Sequence, residues 1–182
     1  MKILFFSDIH GIYDNLKYIK ELDDKNKFDK IVCLGDLYYG GPTYDKKYKI
    51  ESKKVLEFLT SYQDRLICLR GNCDSDVDIK ASDFPICNNL ALINVDGINL
   101  YLTHGNEYSE TKSRKFNHKE VLIYGHEHIP YIHKTSDMIY VNVGSISLPK
   151  ENNNPTYAIY ENKTITIYDI NNLKIDSIKI SY

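Results

Sequence analysis

Seven residues of this chain carry side chains that ligate divalent cations, and all of them fall at or just past the ends of apolar runs. They are Asp8 and His10 in LFFSDIHG, Asp36 in VCLGD, Asn72 in ICLRGNCD, His104 in LYLTHGN, and His126 and His128 in LIYGHEH. In a layered α/β sheet, residues just past the carboxyl ends of strands gather in one crevice, so groups far apart in sequence can converge there. Two carboxylates, one amide oxygen and four imidazoles make an oxygen and nitrogen set that suits Mn, Fe, Zn, Co or Ni and disfavours soft copper(I). Seven groups are too many for one ion. A catalytic zinc takes about three protein ligands plus water, whereas seven groups with one shared carboxylate give about four to each of two ions.

Each element alone has an ordinary explanation. Asp8-x-His10 could be an N-cap pair at a strand end, Gly35-Asp36 a common turn, Asn72 a residue tolerant of a left-handed turn and His104 a structural histidine. His126-Glu127-His128 is stronger, because alternate residues of an extended segment point the same way; the same alternation turns Glu127 aside. Glycines at 11, 35, 71, 105 and 125 let the chain turn sharply beside these groups. Five such clusters, each at the end of an apolar run, favour shared chemistry over coincidence. His118, after the polar stretch Lys112 to Asn117, and His133, beside Lys134 in a strand, fit no ligand pattern.

The elements that would position these groups follow from periodicity. Lys2 to Phe6 reads as a buried strand, Leu16, Ile19 and Leu22 recur at helical spacing, Ile31 to Leu34 is a strand, Val55, Leu56 and Leu59 mark a helix, and Leu66 to Leu69 is a third strand. After about Asn88 strands follow one another. Leu90 to Val95 and Ile98 to Thr103 flank Asp96-Gly97, a hairpin signal, and the sheet is expected to become antiparallel from there. Val121 to Tyr124, Tyr131 to Lys134, Met138 to Val143, Thr156 to Glu161, Thr164 to Ile170 and Leu173 to Ile180 continue the series, with Ser136-Asp137, Asn162-Lys163 and Asn171-Asn172 as turns. Tyr38 to Lys49, with Gly40, Gly41 and Pro42, reads as a long loop whose Lys46, Lys47 and Lys49 face solvent. Tyr38 and Tyr39, directly after Asp36, are placed to wall a substrate pocket.

The chain has 182 residues, the size of one domain, and residues 1–182 are expected to form a single unit. With 23 Lys+Arg against 25 Asp+Glu and a formal charge of -2, it has no basic footprint for strong nucleic-acid binding. Cys33, Cys68, Cys73 and Cys87 form no CxxC pair, so neither a zinc finger nor a disulfide framework is expected. The apolar run before Asp8 is too short for a signal peptide, and no stretch reaches membrane-spanning length. A reducing cytoplasm fits these features, with homo-oligomerisation left open.

The ordered pattern D-x-H, G-D, G-N, H-G and G-H-x-H, carried by the residues above, resembles the calcineurin-like metallophosphoesterase superfamily over the whole chain. GNCD at 71 to 74, GHEHIP at 125 to 130 and NVGSISLPK at 142 to 150 are most similar to the YfcE-type bacterial and archaeal phosphodiesterases. The resemblance implies an α/β four-layer αββα sandwich, two mixed sheets with helices on both outer faces. It implies that Asp8, His10 and His128 hold one metal, that Asn72, His104 and His126 hold the other, and that Asp36 bridges them. It also implies attack by a hydroxide between two divalent ions on a small phosphodiester. Manganese is the first expectation, with Ni, Co, Fe or Zn as alternatives. Asp36 and Asn72 are thereby catalytic candidates as well as ligands.

The chain departs from the wider superfamily at Cys73, where many members carry a histidine that can protonate the leaving oxygen. A thiol is a less versatile acid, so Cys73 is either a weak substitute or a bystander. Asn106 replaces a histidine common in YfcE-type relatives. The competing reading is a catalytically silent scaffold of the same fold, as in the retromer subunit Vps29, against which the complete ligand set argues. A nuclease resembling the Mre11 group is disfavoured by the short chain and the lack of a basic groove.

Overall fold

The computed structural model describes residues 1–39, 49–112 and 120–181. Gly40, Gly41, Pro42, Lys46, Lys47 and His118 lie outside them. In chain order the elements are β1 (Lys2–Phe6), α1 (Leu16–Asn26), β2 (Lys30–Cys33), α2 (Ser52–Thr60), β3 (Leu66–Leu69), α3 (Asp76–Ala81), β4 (Ile86–Cys87), β5 (Ala91–Val95), β6 (Ile98–Leu102), β7 (Glu120–Tyr124), β8 (Pro130–Lys134), β9 (Met138–Val143), β10 (Thr156–Glu161), β11 (Thr164–Asp169) and β12 (Lys174–Lys179).

They build two sheets, ordered β12-β11-β10-β1-β2-β3-β4 and β5-β6-β7-β9-β8. The period-two alternation of strand side chains sorts the residues into layers. On β1, Ile3 and Phe5 join Val32, Leu100, Leu102, Val121, Ile123 and Val141 in the core between the sheets. Leu4 and Phe6 face the other way, with Leu16, Ile19, Val55, Phe58 and Leu59 of α1 and α2. The second sheet's outer face carries Leu122, Tyr124, Met138 and Tyr140. Among the described residues, the helical element following β6 is one short 3₁₀ turn, Glu110–Lys112. Helices therefore pack on the first sheet, where the β1-β2-β3-β4 crossovers put them on one side.

Strand directions matter most for the site. β1, β2, β3 and β4 run parallel, so the loops after β1, β2 and β3 emerge at one edge. The expected switch to antiparallel pairing holds for β5 and β6 but not beyond: β6 pairs parallel with β7, and β7 parallel with β9. Both sheets are mixed. In this parallel triplet β7 and β9 are buried on both faces, which explains why they read as nearly continuous apolar runs, while β6 alternates buried and half-buried residues. The parallel pairing also puts the residues after β6 and β7 at a common edge.

Two elements left no periodic signal in the sequence. α3 buries no side chain and is held by its capping box, in which Ser75 accepts from the Asp78 amide while the Asp78 carboxylate accepts from Ser75. β4 is two residues long.

Candidate metal centre

The segments after β1 and β2 are stitched edge to edge by backbone bonds. Asp8 N–H donates to Gly35 O (3.0 Å), His10 N–H to Asp36 O (2.9 Å) and Gly11 N–H to Leu37 O (2.8 Å). The sharp reversals are made by the ligand candidates themselves: Asp8, His10, Asp36, His126 and His128 all have φ between 52° and 68°. A side chain in that region costs about 1 kcal/mol or more per residue, and such strain concentrates at functional sites. Gly71 and Gly125 serve another purpose, since a Cβ on the first would overlap Asp36 and a Cβ on the second Ser7 and Asp8.

The strained loops are clamped by a residue that sequence reasoning passed over. Buried Asp74 accepts the amides of Asp36 (2.9 Å) and Gly71 (2.8 Å) on Oδ2 and that of Leu37 (2.7 Å) on Oδ1. On the opposite side Ser145 Oγ donates to Asp8 O (2.9 Å) and accepts from Leu148 N (2.8 Å). Asn142 Nδ2 holds Gly125 O (2.9 Å). GNCD and NVGSISLPK contain these residues, but neither motif's text states who bonds whom.

Three of the four imidazoles are oriented alike. His10 Nδ1 meets Tyr39 O at 2.6 Å, His104 Nδ1 meets Leu34 O at 2.9 Å and His128 Nδ1 meets Leu148 O at 2.6 Å. A carbonyl only accepts, so Nδ1 carries a proton and in the neutral ring Nε2 holds the lone pair, the arrangement found behind metal-ligating histidines. Those lone pairs point at other acceptors. His10 Nε2 and His128 Nε2 are 3.3 Å apart, and His104 Nε2 is 3.0 Å from Asn72 Oδ1. Asp8 Oδ2 accepts the His126 amide at 3.0 Å, while Oδ1 is buried without a hydrogen-bond donor, 3.2 Å from His128 Nε2. Asp36 Oδ1 takes the Cys73 amide at 2.8 Å, and its Oδ2 lies 3.6 Å from His10 Nε2 and 3.4 Å from His104 Nε2.

Acceptors facing acceptors in a buried site repel unless a cation or a proton lies among them. The titration behaviour says the same. Burial disfavours the charged His104 ring, but the Asp36 hydrogen bond and the charges of Asp8 and Asp36 outweigh this and raise it to about 9. His128 is raised against burial by Asp8. Both carboxylates are lowered despite burial, Asp8 by its contact with His128 and Asp36 by His104. Positive charge is what the cluster lacks, and the donor set fits divalent metal ions.

The structure brings Asp8, His10 and His128 into one group whose donor atoms lie within 4.8 Å of one another, and Asp8, Asp36 and His104 into a second. Exposed Asn72 joins through His104, and half-buried His126 lies beside it, ring centroids 5.0 Å apart. The strand-alternation argument for His126 and His128 is corrected: both sit in left-handed turns rather than in an extended segment, and His128 belongs to the first group whereas His126 belongs to neither. Cys73 Sγ clusters with His10 and Asp36. Burial and the Asp36 charge push its thiol up to about 12. His133, exposed, pairs with Glu110, away from the site.

Residues 1–164 match the calcineurin-like phosphoesterase superfamily domain. The chain belongs to this superfamily. It is 32% identical over 175 residues to phosphodiesterase YfcE of Escherichia coli K12, covering 96% of this chain and 95% of that protein. The solved structure of YfcE, described as a phosphoesterase from E. coli, superposes with a TM-score of 0.94 at 31% identity over 100% of both chains. The metallophosphoesterase fold of two packed mixed sheets expected from the superfamily is thus the fold observed, although among the described residues α-helices cover the first sheet and only a short 3₁₀ turn follows β6. Vps29 of Chaetomium thermophilum shares that fold, with a TM-score of 0.63 at 17% identity over 98% of this chain and 97% of its own. Superfamily membership carries a requirement for divalent metal. No helix among the described residues is long and apolar enough to cross a membrane.

Proposed function

We propose that this chain is a metal-dependent phosphodiesterase acting on small phosphodiesters. The observation that carries the proposal is the set of opposed acceptors, His10 against His128 and His104 against Asn72, around two carboxylates. Asp8, His10 and His128 would hold one divalent ion and Asn72, His104 and His126 a second, with Asp36 shared. When bound, two such ions acidify water to a nucleophile at neutral pH and neutralise phosphoryl oxygens.

The chain's own residues supply the rest. Asp36 is fixed on one oxygen by the Cys73 amide, so its other oxygen keeps its place between His10 and His104. Tyr39 O, Leu34 O and Leu148 O hold the imidazole tautomers, so each ring in its neutral form turns its Nε2 lone pair to a cation, and a cation at His104 would displace the Nε2 proton that the metal-free ring carries at neutral pH. The Cys73 thiol stays protonated at neutral pH and is a weak acid, which favours diesters whose leaving oxygen needs little protonation. We assign manganese first because the ligands are oxygen and imidazole without thiolate, with Ni, Co, Fe or Zn as substitutes. The shared core between the sheets supports residues 1–182 working as one unit, and buried free thiols at Cys33 and Cys68 suit a reducing cytoplasm. The relative named a phosphodiesterase supports the reaction class, and the complete donor set counts against a silent scaffold.

The test is hydrolysis of bis(4-nitrophenyl) phosphate after chelation and after restoring each metal singly. Activity should vanish and then return, most with manganese. Undiminished turnover with metal loss confirmed by elemental analysis would overturn the proposal.

A further inference from the structure

Next to Cys73 the surface opens into a cavity of about 910 Å³, between α2 and α3. Its walls are Tyr38, Tyr39, Ile50, Leu56 and Ala81, and Cys73 belongs both to this wall and to the cluster with His10 and Asp36. Tyr38 is fixed, its hydroxyl 2.8 Å from Ser82 Oγ. Tyr39 is tied to the metal centre through the carbonyl that takes His10 Nδ1, yet the residue is 52% exposed. Ile50 is 38% exposed. Uncovered large apolar groups lining a concavity beside reactive groups mark a binding site.

The polar groups of this cavity are already engaged in holding the fold. Ser52 Oγ donates to Tyr38 O at 3.0 Å. Ser75 and Asp78 are occupied with each other in the cap of α3. Lys53, whose side chain is 88% exposed, is at the rim, 4.0 Å from Glu57. A second phosphate or other polyanion entering here would exchange water for one screened ammonium. A flat apolar ring would lose little on leaving water and would meet an aromatic face.

We infer that this cavity receives a flat aromatic ester group of the phosphodiester, as the leaving group, so that the substrate class is aryl or nucleobase-bearing diesters. The inference rests on the phosphodiesterase reading. Water adds to phosphorus, the phosphorus–oxygen bond to the ring-bearing alcohol breaks, and the products are a phosphomonoester and that alcohol, with the attacking water supplying both new O–H protons overall. Cys73 at the junction marks where the breaking bond meets the pocket.

The experiment compares two methyl phosphodiesters whose leaving groups have equal acidity, a phenol and a fluorinated alcohol, with the manganese-loaded protein. The aryl ester should be preferred in kcat/KM by about tenfold or more, equivalent to about 1.4 kcal/mol. Tyr39→Ala removes a wall and Ala81→Trp, at an exposed site, fills the space; each should cut that ratio about tenfold while circular dichroism shows the native fold. A ratio near one in the wild type, or one unmoved by both variants, overturns the pocket assignment while leaving hydrolysis standing. No hydrolysis of either ester overturns the phosphodiesterase reading itself. Benzyl and nucleoside-5′ methyl diesters identify the ring: faster nucleoside cleavage assigns a nucleobase and faster benzyl cleavage a simple arene. Equality of both with ethyl methyl phosphate, measured alongside as the ring-free diester, counts against the pocket.

Discussion

Asp74 touches no proposed metal ligand with its side chain except through the Asp36 main chain, yet the geometry of Asp36 depends on it. Its two oxygens accept three backbone amides, from Asp36, Leu37 and Gly71, in a site where Asp74 is 3% exposed. Asp74→Asn keeps one acceptor oxygen and turns an amide NH₂ toward at least one of those N–H groups. One buried donor left facing a donor costs about 1–3 kcal/mol. Asp74→Ala strips all three donors of their partner, and with partial relief by water the loss is about 3–6 kcal/mol. A domain of this kind is stable by about 5–15 kcal/mol, so the alanine variant approaches the limit of folding and the asparagine variant does not. Without the carboxylate, Asp36 is free to leave its left-handed turn (φ 56°), and the metal-binding groups lose register. Urea unfolding of metal-free protein gives the stability, and manganese titration of folded Asp74→Asn gives the register. The variant should bind manganese about tenfold or more weakly, in line with losses at residues that orient ligands. If Asp74→Ala unfolds within about 1 kcal/mol of wild type, or if Asp74→Asn binds manganese as tightly as wild type, the clamp reasoning is wrong.

Asp36→Asn should lower activity about tenfold or more below His10→Ala and reduce the metal bound per chain, because water can stand in for an imidazole whereas an amide bridges poorly; elemental analysis with kinetics checks it. Cys73→His should raise kcat/KM roughly tenfold or more for diesters with poor leaving groups and least for nitrophenyl esters, and a leaving-group series with equal slopes for both proteins would refute proton donation at this position. Asp169 is disfavoured as an anion by burial, but bonds from Asn154 and the Asn171 and Leu173 amides outweigh this and hold its carboxyl below the ordinary range. The ionised form is therefore favoured by folding, and its contribution is complete above about pH 4 and lost as pH falls further. Urea midpoints of wild type and Asp169→Asn should differ at neutral pH and converge in acid.

The strands were legible wherever alternation or an unbroken apolar run marked them, as in Lys2 to Phe6 and Met138 to Val143. Strand direction was not. Parallel pairing of β6, β7 and β9 depends on crossovers whose signature in the sequence is weak, and the run of turn-linked strands invited an antiparallel reading. α3 escaped because it buries nothing and so has no apolar stripe. The ligand candidates were visible as types at strand ends, and five of them lie in one crevice. What the sequence could not reveal is the backbone state. His126 and His128 reach their places through left-handed turns that non-glycine residues rarely adopt, so alternation along a strand was the wrong geometric reason for pairing them. Asp74 and Ser145 act through main-chain groups, and a contact with an amide or carbonyl leaves no trace in residue type.

The claim on which the account rests is that opposed acceptors around Asp8 and Asp36 are a seat for two divalent cations. Equilibrium dialysis of the chelated protein against manganese, read by elemental analysis with diester hydrolysis measured on the same samples, tests it most directly. The account predicts two ions per chain at saturation, with hydrolysis absent from the metal-free protein and rising as the ions bind. Saturation at one ion per chain or fewer, or hydrolysis already complete in the metal-free sample, would contradict it.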